Sequence, residues 1–352
     1  MENENKQRTP HKRRVRYKGK YPKRFEEKYK ELNPEKYQDT IEHVIRKGNT
    51  PAGMHISIMV PEILDFLQIQ PGQTGFDATL GYGGHTRAML TKLNGHGHIY
   101  ATDVDPEESA KTRKRLADLG FGDDILTIRL QNFCTIDEIA REAGGFDFLL
   151  ADLGVSSMQI DNPKRGFSFK MDGPLDLRLN QEKGISAAQR LETISRDELA
   201  GMFYENSDEP YSDEIARAIT DYIRRGNHVD TTTKLHRIIE ETLSFPPEKD
   251  RKDTVKKTCQ RVFQALRIDV NNEFEVLYEF MEKLPDALKP GGRAAILTFH
   301  SGEDKLVKKA LKTGYKAGIY SEYSKDVVRP SAQECAQNPR ARSTKMRWAV
   351  KA

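Results

Sequence analysis

The chain has 352 residues with 57 Lys+Arg against 53 Asp+Glu, a net charge of +4, and 37% hydrophobic residues, enough for about two globular domains with a buried core. Three scattered cysteines, Cys134, Cys259 and Cys335, with no CxxC or Cys/His ligand spacing, argue against a disulfide scaffold and a zinc ribbon; no metal site is read. The charged start lacks the apolar region of a secretory signal, and no run approaches the ~18 apolar residues of a membrane span, so the expectation is a cytoplasmic protein with no membrane partner.

The elements follow in chain order. Residues 1–54 carry 15 Lys+Arg against 8 Asp+Glu, net +7, while the remaining 42 basic and 45 acidic residues give −3. All of the positive excess therefore lies in this first segment. Its densest part, around Arg13, Arg14 and Arg16, interleaves basic and aromatic residues and suits phosphate contact by counterion release; a solvated tail is the alternative. Residues 56–67 predict a helix, and 74–80 a strand feeding Gly81-Tyr82-Gly83-Gly84. A helix over 86–93, a strand over 98–102 ending at Asp103, a helix over 107–119 and a strand over 125–130 follow. Thr135-Ile136-Asp137-Glu138 has capping-box spacing, and 146–153 is a buried-strand run. This alternation predicts an α/β domain with a parallel sheet covered on both faces. It then breaks. Residues 161–180 read as a loop, 185–265 as helical throughout, and 262–284 as one helix after a polar connection. A turn at Pro290-Gly291-Gly292, a strand over 293–299, a helix over 305–311 and a strand pair near 319–323 and 346–350 complete the chain. The predicted organisation is a basic extension (1–54), a first core part (55–160), an inserted loop and helical subdomain (161–262), and a second core part (263–352).

Three strand ends carry chemistry. The glycine turn lets backbone approach a ligand, and the helix behind it offers free N–H groups. Asp103, 22 residues after Gly81, can accept hydrogen bonds from ribose hydroxyls. A dinucleotide fingerprint would need glycine where Thr86 stands, which favours S-adenosylmethionine over a nicotinamide cofactor. Phe133 follows the next strand and could pack on an adenine. Asp152 ends the buried strand, where an acid is costly unless it serves a ligand or a polar network.

The blocks FDATLGYGGHTRAML (76–90), DLGVSSMQIDNPKRGFSFKMDGPLDLRLN (152–180), RVFQALRIDVNNE (261–273), PGGRAAILTFHSGEDKLVK (290–308) and NPRARSTKMR (338–347) resemble the bacterial RsmH/MraW family of 16S ribosomal RNA methyltransferases. The resemblance implies a class I, Rossmann-like, S-adenosylmethionine-dependent methyltransferase domain with an inserted all-helical subdomain. It implies methyl transfer to N4 of a decoding-centre cytosine, with 16S ribosomal RNA or the small subunit as partner, and leaves room for a homodimer. It places cofactor contacts on Gly83, Gly84, His85, Asp103, Phe133, Asp152 and Gln159, with Asp152 also the candidate catalytic acceptor. Candidate RNA contacts beyond the basic arm are Arg165, Phe167, Phe169, Lys170 and Arg178 in the loop, and Arg340 and Arg342 in a second basic loop. Departures from the family pattern, namely the basic arm, Gly302, Met158 and residues 254–260, suggest a diverged paralogue. The alternatives are an assembly factor that binds cofactor without turnover, and a methyltransferase acting on another RNA cytosine.

Overall fold

The computed structural model describes residues 57–245 and 247–352, and all of them fall in one compact unit, Ile56–Ala352. The basic segment, with Arg13, Arg14 and Arg16, lies outside the described residues. Helix α1 (Val60–Leu67) precedes β1 (Thr74–Asp77), α2 (Gly84–Leu93), β2 (His98–Asp103), α3 (Pro106–Asp118), β3 (Leu126–Leu130), α4 (Ile136–Ala143) and β4 (Phe146–Asp152). The first strand stops short of its expected end because the Asp77 carboxylate turns back to accept the Thr79 N–H. Helices α5 (Ser157–Asp161), α6 (Ala187–Thr193), α7 (Arg196–Ser207), α8 (Ser212–Arg224), α9 (Thr232–Thr242), α10 (Glu248–Asn271) and α11 (Glu273–Ala287) follow. The chain then re-enters the sheet through β5 (Leu288–Thr298), α12 (Ser301–Lys316), β6 (Tyr320–Tyr323), α13 (Ala332–Gln337) and β7 (Lys345–Lys351).

The strands form one sheet in the order β3-β2-β1-β4-β5-β7-β6. The pairs among β3, β2, β1, β4 and β5 are parallel, and β7 runs antiparallel to both β5 and β6. This is a doubly wound arrangement. Its order reverses between β1 and β4, and such a reversal opens a crevice at the carboxyl ends of the strands. Two apolar clusters cover the faces. One joins α1, α2 and α3 to the sheet through Ile63, Met89, Leu93 and Leu116; the other joins α4, α11 and α12 through Ile139, Phe280, Leu284 and Val307. A third core, including Phe167, Leu191, Phe203, Ile219, Leu235 and Leu266, is built by the segment between β4 and β5.

Two expectations need correction. The single helix expected over 262–284 is two helices, and the polar stretch before it belongs to the first of them. Val255, Thr258 and Cys259 fall on one buried stripe at helical spacing, while Asp253 and Lys257 pair on the exposed side at 2.7 Å. The break comes at Asn272, whose φ of 50° is left-handed, a conformation asparagine tolerates. The expected division at 262/263 therefore falls inside α10. The turn at Pro290-Gly291-Gly292 lies within β5 as a register shift, since Phe146 pairs with Leu288 but Phe148 pairs with Arg293.

Candidate functional site

The crevice between β1 and β4 is built from acids at strand ends and a glycine turn. Gly81 and Gly83 have φ of 48° and 76°. A Cβ on Gly83 would come within 2.7 Å of the Thr112 methyl, so the position requires glycine twice over. The turn delivers the chain into α2, whose first-turn N–H groups have no intrahelical partners. Asp103 steadies the turn: its Oδ2 accepts the Gly81 N–H at 2.7 Å and its Oδ1 accepts the Asp105 N–H at 2.9 Å. A carboxylate has about four acceptor positions, so two remain for vicinal hydroxyls. Burial raises the Asp103 pKa to about 6, against the opposing pull of the Asp105 and Gly81 N–H groups.

Asp152 lies across the crevice. Its backbone N–H donates to Thr79 Oγ1 at 2.7 Å. Its Oδ2 faces His85 Nδ1 at 3.3 Å, and His85 Nε2 lies 2.9 Å from the Ile58 carbonyl oxygen. Burial alone would lower the His85 pKa. The Asp152 hydrogen bond and charge, the Ile58 carbonyl and Asp77 outweigh it, and the pKa rises to about 9. His85 is thus an imidazolium at neutral pH. The other Asp152 oxygen, Oδ1, is buried and accepts no hydrogen bond among the described residues. Behind these groups, Asp77 accepts Thr86 Oγ1–H at 2.6 Å and the Thr79 N–H at 3.0 Å.

A buried free carboxylate oxygen, a glycine turn at a helix start and an acid with spare acceptor capacity fit a nucleoside methyl donor. The MraW methylase family model matches residues 52–352. The chain belongs to that family. It is 82% identical over 342 residues to ribosomal RNA small subunit methyltransferase H 1 of Agathobacter rectalis, covering 97% of this chain and 98% of the relative. A relative of the same name from Lachnoclostridium phytofermentans is 70% identical over 97% of this chain and 93% of its own length. Ribosomal RNA small subunit methyltransferase H of Acidobacterium capsulatum is 37% identical, with 84% of this chain covered but 98% of the relative. The first two matches, each over 342 of the 352 residues, take in most of residues 1–54.

The methylase therefore has a Rossmann-like methyltransferase fold and uses S-adenosylmethionine. Of the residues expected to hold it, Gly83, Gly84 and His85 share the β1–α2 turn, with Asp103 and Asp152 at the ends of the flanking strands β2 and β4. Phe133 starts a short 3₁₀ turn after β3 and is half-buried, edge-on to Phe280 with ring centroids 5.1 Å apart. Gln159 is committed at both ends of its amide. Oε1 accepts the Ser156 N–H at 2.9 Å, closing a capping box, and Nε2 donates to Asp105 Oδ2 at 3.0 Å.

Two expected RNA contacts, Arg165 and Phe167, are corrected by burial, and the structure places the others as follows. Arg165 is 4% exposed, and its Nη1 meets Asp105 Oδ2 at 2.6 Å, so its charge is spent inside the protein. Phe167 lies in the helical core at 9% exposure, which removes it as a stacking platform for a base. Phe169 packs against the same core between His236 and Phe263, with both centroid distances 5.5 Å. Arg178 forks onto both oxygens of Asp176, each at 2.8 Å, and Arg340 reaches the Asp161 carboxylate at 3.0 and 3.1 Å. Lys170 and Arg342 are exposed.

The residue missed entirely is Asp105. At 1% exposure it caps α3, its Oδ1 accepting the N–H groups of Glu107 and Glu108 at 3.1 Å, and holds Arg165 and Gln159 through Oδ2. Asp-Pro at a helix start announces the cap; nothing local announces the arginine 60 residues away. His300 N-caps α12, and Glu273, His300 and Glu303 bring ligand-type atoms within 4.8 Å of one another. Arg267 takes both Glu273 oxygens at 2.8 Å, and the Phe299 N–H takes Glu303 Oε2 at 2.8 Å, so this group is an internal ion-pair network.

Proposed function

We propose that the methylase transfers a methyl group to N4 of a cytosine in 16S ribosomal RNA of the small subunit, in the cytoplasm. The ribosomal target is supported by the names of the two relatives at 82% and 70% identity. The observation that carries the chemistry is the buried Asp152 Oδ1 left without a hydrogen bond at the end of β4.

Bound S-adenosylmethionine supplies an electrophilic methyl on a sulfonium. Asp103 binds the ribose hydroxyls with its two remaining acceptor positions, and Gly83, Gly84 and His85 contribute the turn and the helix start. Phe133 packs on the adenine, and Gln159 closes the pocket edge. Cytosine N4 is a weak nucleophile because its lone pair is delocalised into the ring. Asp152 Oδ1 accepts a hydrogen bond from the amino group, draws electron density back onto nitrogen and takes, directly or through water, the proton that nitrogen sheds on methylation. The His85 imidazolium at 3.3 Å fixes the carboxylate's other oxygen. Much of the acceleration is positional, and aligned reactants gain up to about 7–11 kcal/mol from it. The base must leave its stack to reach the pocket. Lys170 and Arg342, exposed on two loops, and Arg13, Arg14 and Arg16 of the basic segment meet phosphates.

Mass spectrometry of ribosomal RNA from cells lacking the gene tests this reading. Loss of one N4-methylated cytosine, restored by the intact gene and not by a variant carrying Asp152→Asn, is expected. An unchanged set of methylated cytosines overturns it.

A further inference from the structure

Residues 162–186 leave the cofactor crevice and return to the helical core with little secondary structure of their own, and buried groups hold their backbone. The Arg165 carbonyl accepts the Leu177 N–H at 3.1 Å, and Arg165 Nη2 donates to the carbonyls of Arg178 and Leu179 at 3.1 and 2.6 Å. Asn271 of α10 accepts the Leu179 N–H and donates to the Leu177 carbonyl, both at 2.8 Å. Leu177 itself has φ of 64° at 1% exposure, a left-handed conformation that costs a branched residue and persists only where its surroundings over-determine it. Arg165 Nε is buried without a partner among the described residues, a second cost at the same point. The far side of the loop is tied to the helical core, through Asn271 and through Leu175 N–H to the Asp230 carbonyl, while Arg165 ties its near side to Asp105.

Asp105 is two residues from the ribose acid, and its own N–H donates to Asp103 Oδ1 at 2.9 Å. Ribose hydroxyls on the open positions and the Asp105 N–H would thus share one carboxylate and together fix it. We propose that Asp105 and Arg165 are positioning residues that couple the cofactor pocket to loop 162–186, so that the loop takes its held conformation when the nucleoside is bound. The loop carries exposed Lys164 and Lys170, so the coupling readies the surface beside the pocket only once a methyl donor is in place. Nothing in this depends on which nucleic acid is methylated.

Hydrogen exchange of the full-length protein, with and without S-adenosylhomocysteine and with no RNA, reads the coupling directly. In the wild type, the nucleoside slows exchange across 162–186 at least about fivefold, the low end for coupled sites. Arg165→Gln and Asp105→Asn, the second keeping a good helix cap, still bind the nucleoside but lose the loop response. The double variant loses no more than either single one, because one interaction is removed in all three. A loop response that survives in either variant overturns the proposal. So does a wild-type loop indifferent to the nucleoside, or variants whose loops exchange faster than wild type by the same factor in both states so that the nucleoside still slows them about fivefold, which would mark a purely structural tie.

Discussion

Replacing His85 with asparagine exposes the electrostatic centre of the pocket through pH. The folded His85 pKa stands at about 9 against an ordinary 6.5. At about 1.4 kcal/mol per pH unit, that difference is worth about 3 kcal/mol of folding stability. The folded value lies above the unfolded one, so this stability is fully present below 6.5 and is lost as pH rises through 9. Urea unfolding of wild type and His85→Asn at about pH 6 and about pH 10 isolates the contribution. The asparagine changes packing equally at both values, and titrating groups away from His85 cancel in the difference between proteins, which leaves His85 together with the acids it faces, Asp152 and Asp77. The wild type should lose about 3 kcal/mol more than the variant across this interval, with similar m-values. Parallel profiles would refute the reasoning, because His85 would then be neutral in the folded protein and could not hold Asp152 as an imidazolium.

Asp103 has the same sign in a more acidic window. Its folded pKa of about 6 lies above the ordinary 3.8, so the free protein gains stability as pH falls from 6 toward 3.8 while its acceptor capacity declines. Titration calorimetry should show S-adenosylhomocysteine affinity falling about tenfold per pH unit below 6, and Asp103→Asn should flatten that dependence. Gly83→Ala meets a left-handed backbone, costing about 1–2 kcal/mol, and the Thr112 methyl at 2.7 Å, adding about 1–3 kcal/mol. Gly81→Ala has a φ of 48° but only a 3.7 Å contact with the Thr79 carbonyl oxygen, so only the backbone cost applies and urea unfolding should rank the two. Asp152→Asn should lower kcat about 100-fold at saturating cofactor while leaving the fold intact by circular dichroism; unchanged turnover would remove the acceptor role.

The parallel half of the sheet was legible because its strands are short apolar runs, three of them (β1, β2 and β4) ending at an acid, and because strand and helix periods alternate cleanly from 74 to 153. The break between α10 and α11 was not. Apolar spacing continues across Asn272, and only the left-handed conformation of that one residue separates the helices. The pocket was legible for a related reason, since Gly81, Gly83, Asp103 and Asp152 stand where strands end. The partners of the arginines were not legible. Arg165, Arg178 and Arg340 look like phosphate ligands when read along the chain, yet their partners are Asp105, Asp176 and Asp161. Two of those pairs span 60 and 179 residues, and no local pattern predicts them. Lys170 and Arg342, with no ion pair to an acid among the described residues, are what remains of that patch.

Residue type does not separate the acids of the crevice; the hydrogen bonds they already accept do. An ionised carboxylate offers about four acceptor positions. Asp105 uses all four, for two helix N–H groups, Gln159 and Arg165, which makes it a scaffold whose loss would strand a buried arginine. Asp77 accepts one bond on each oxygen from its own β1–α2 segment and at 1% exposure is out of reach of solvent. Asp103 also accepts one on each oxygen, but it is only half-buried at the crevice and receives them from backbone N–H groups that leave its outer positions open. Asp152 commits a single oxygen, to a histidine, and keeps the other bare. A bare buried oxygen costs about 1–3 kcal/mol, a standing penalty that a proton-bearing amine in the crevice would relieve. Unspent acceptor capacity thus rises from Asp105 through Asp103 to Asp152, the order in which the proposed roles of scaffold, ribose acid and amine acceptor would require it.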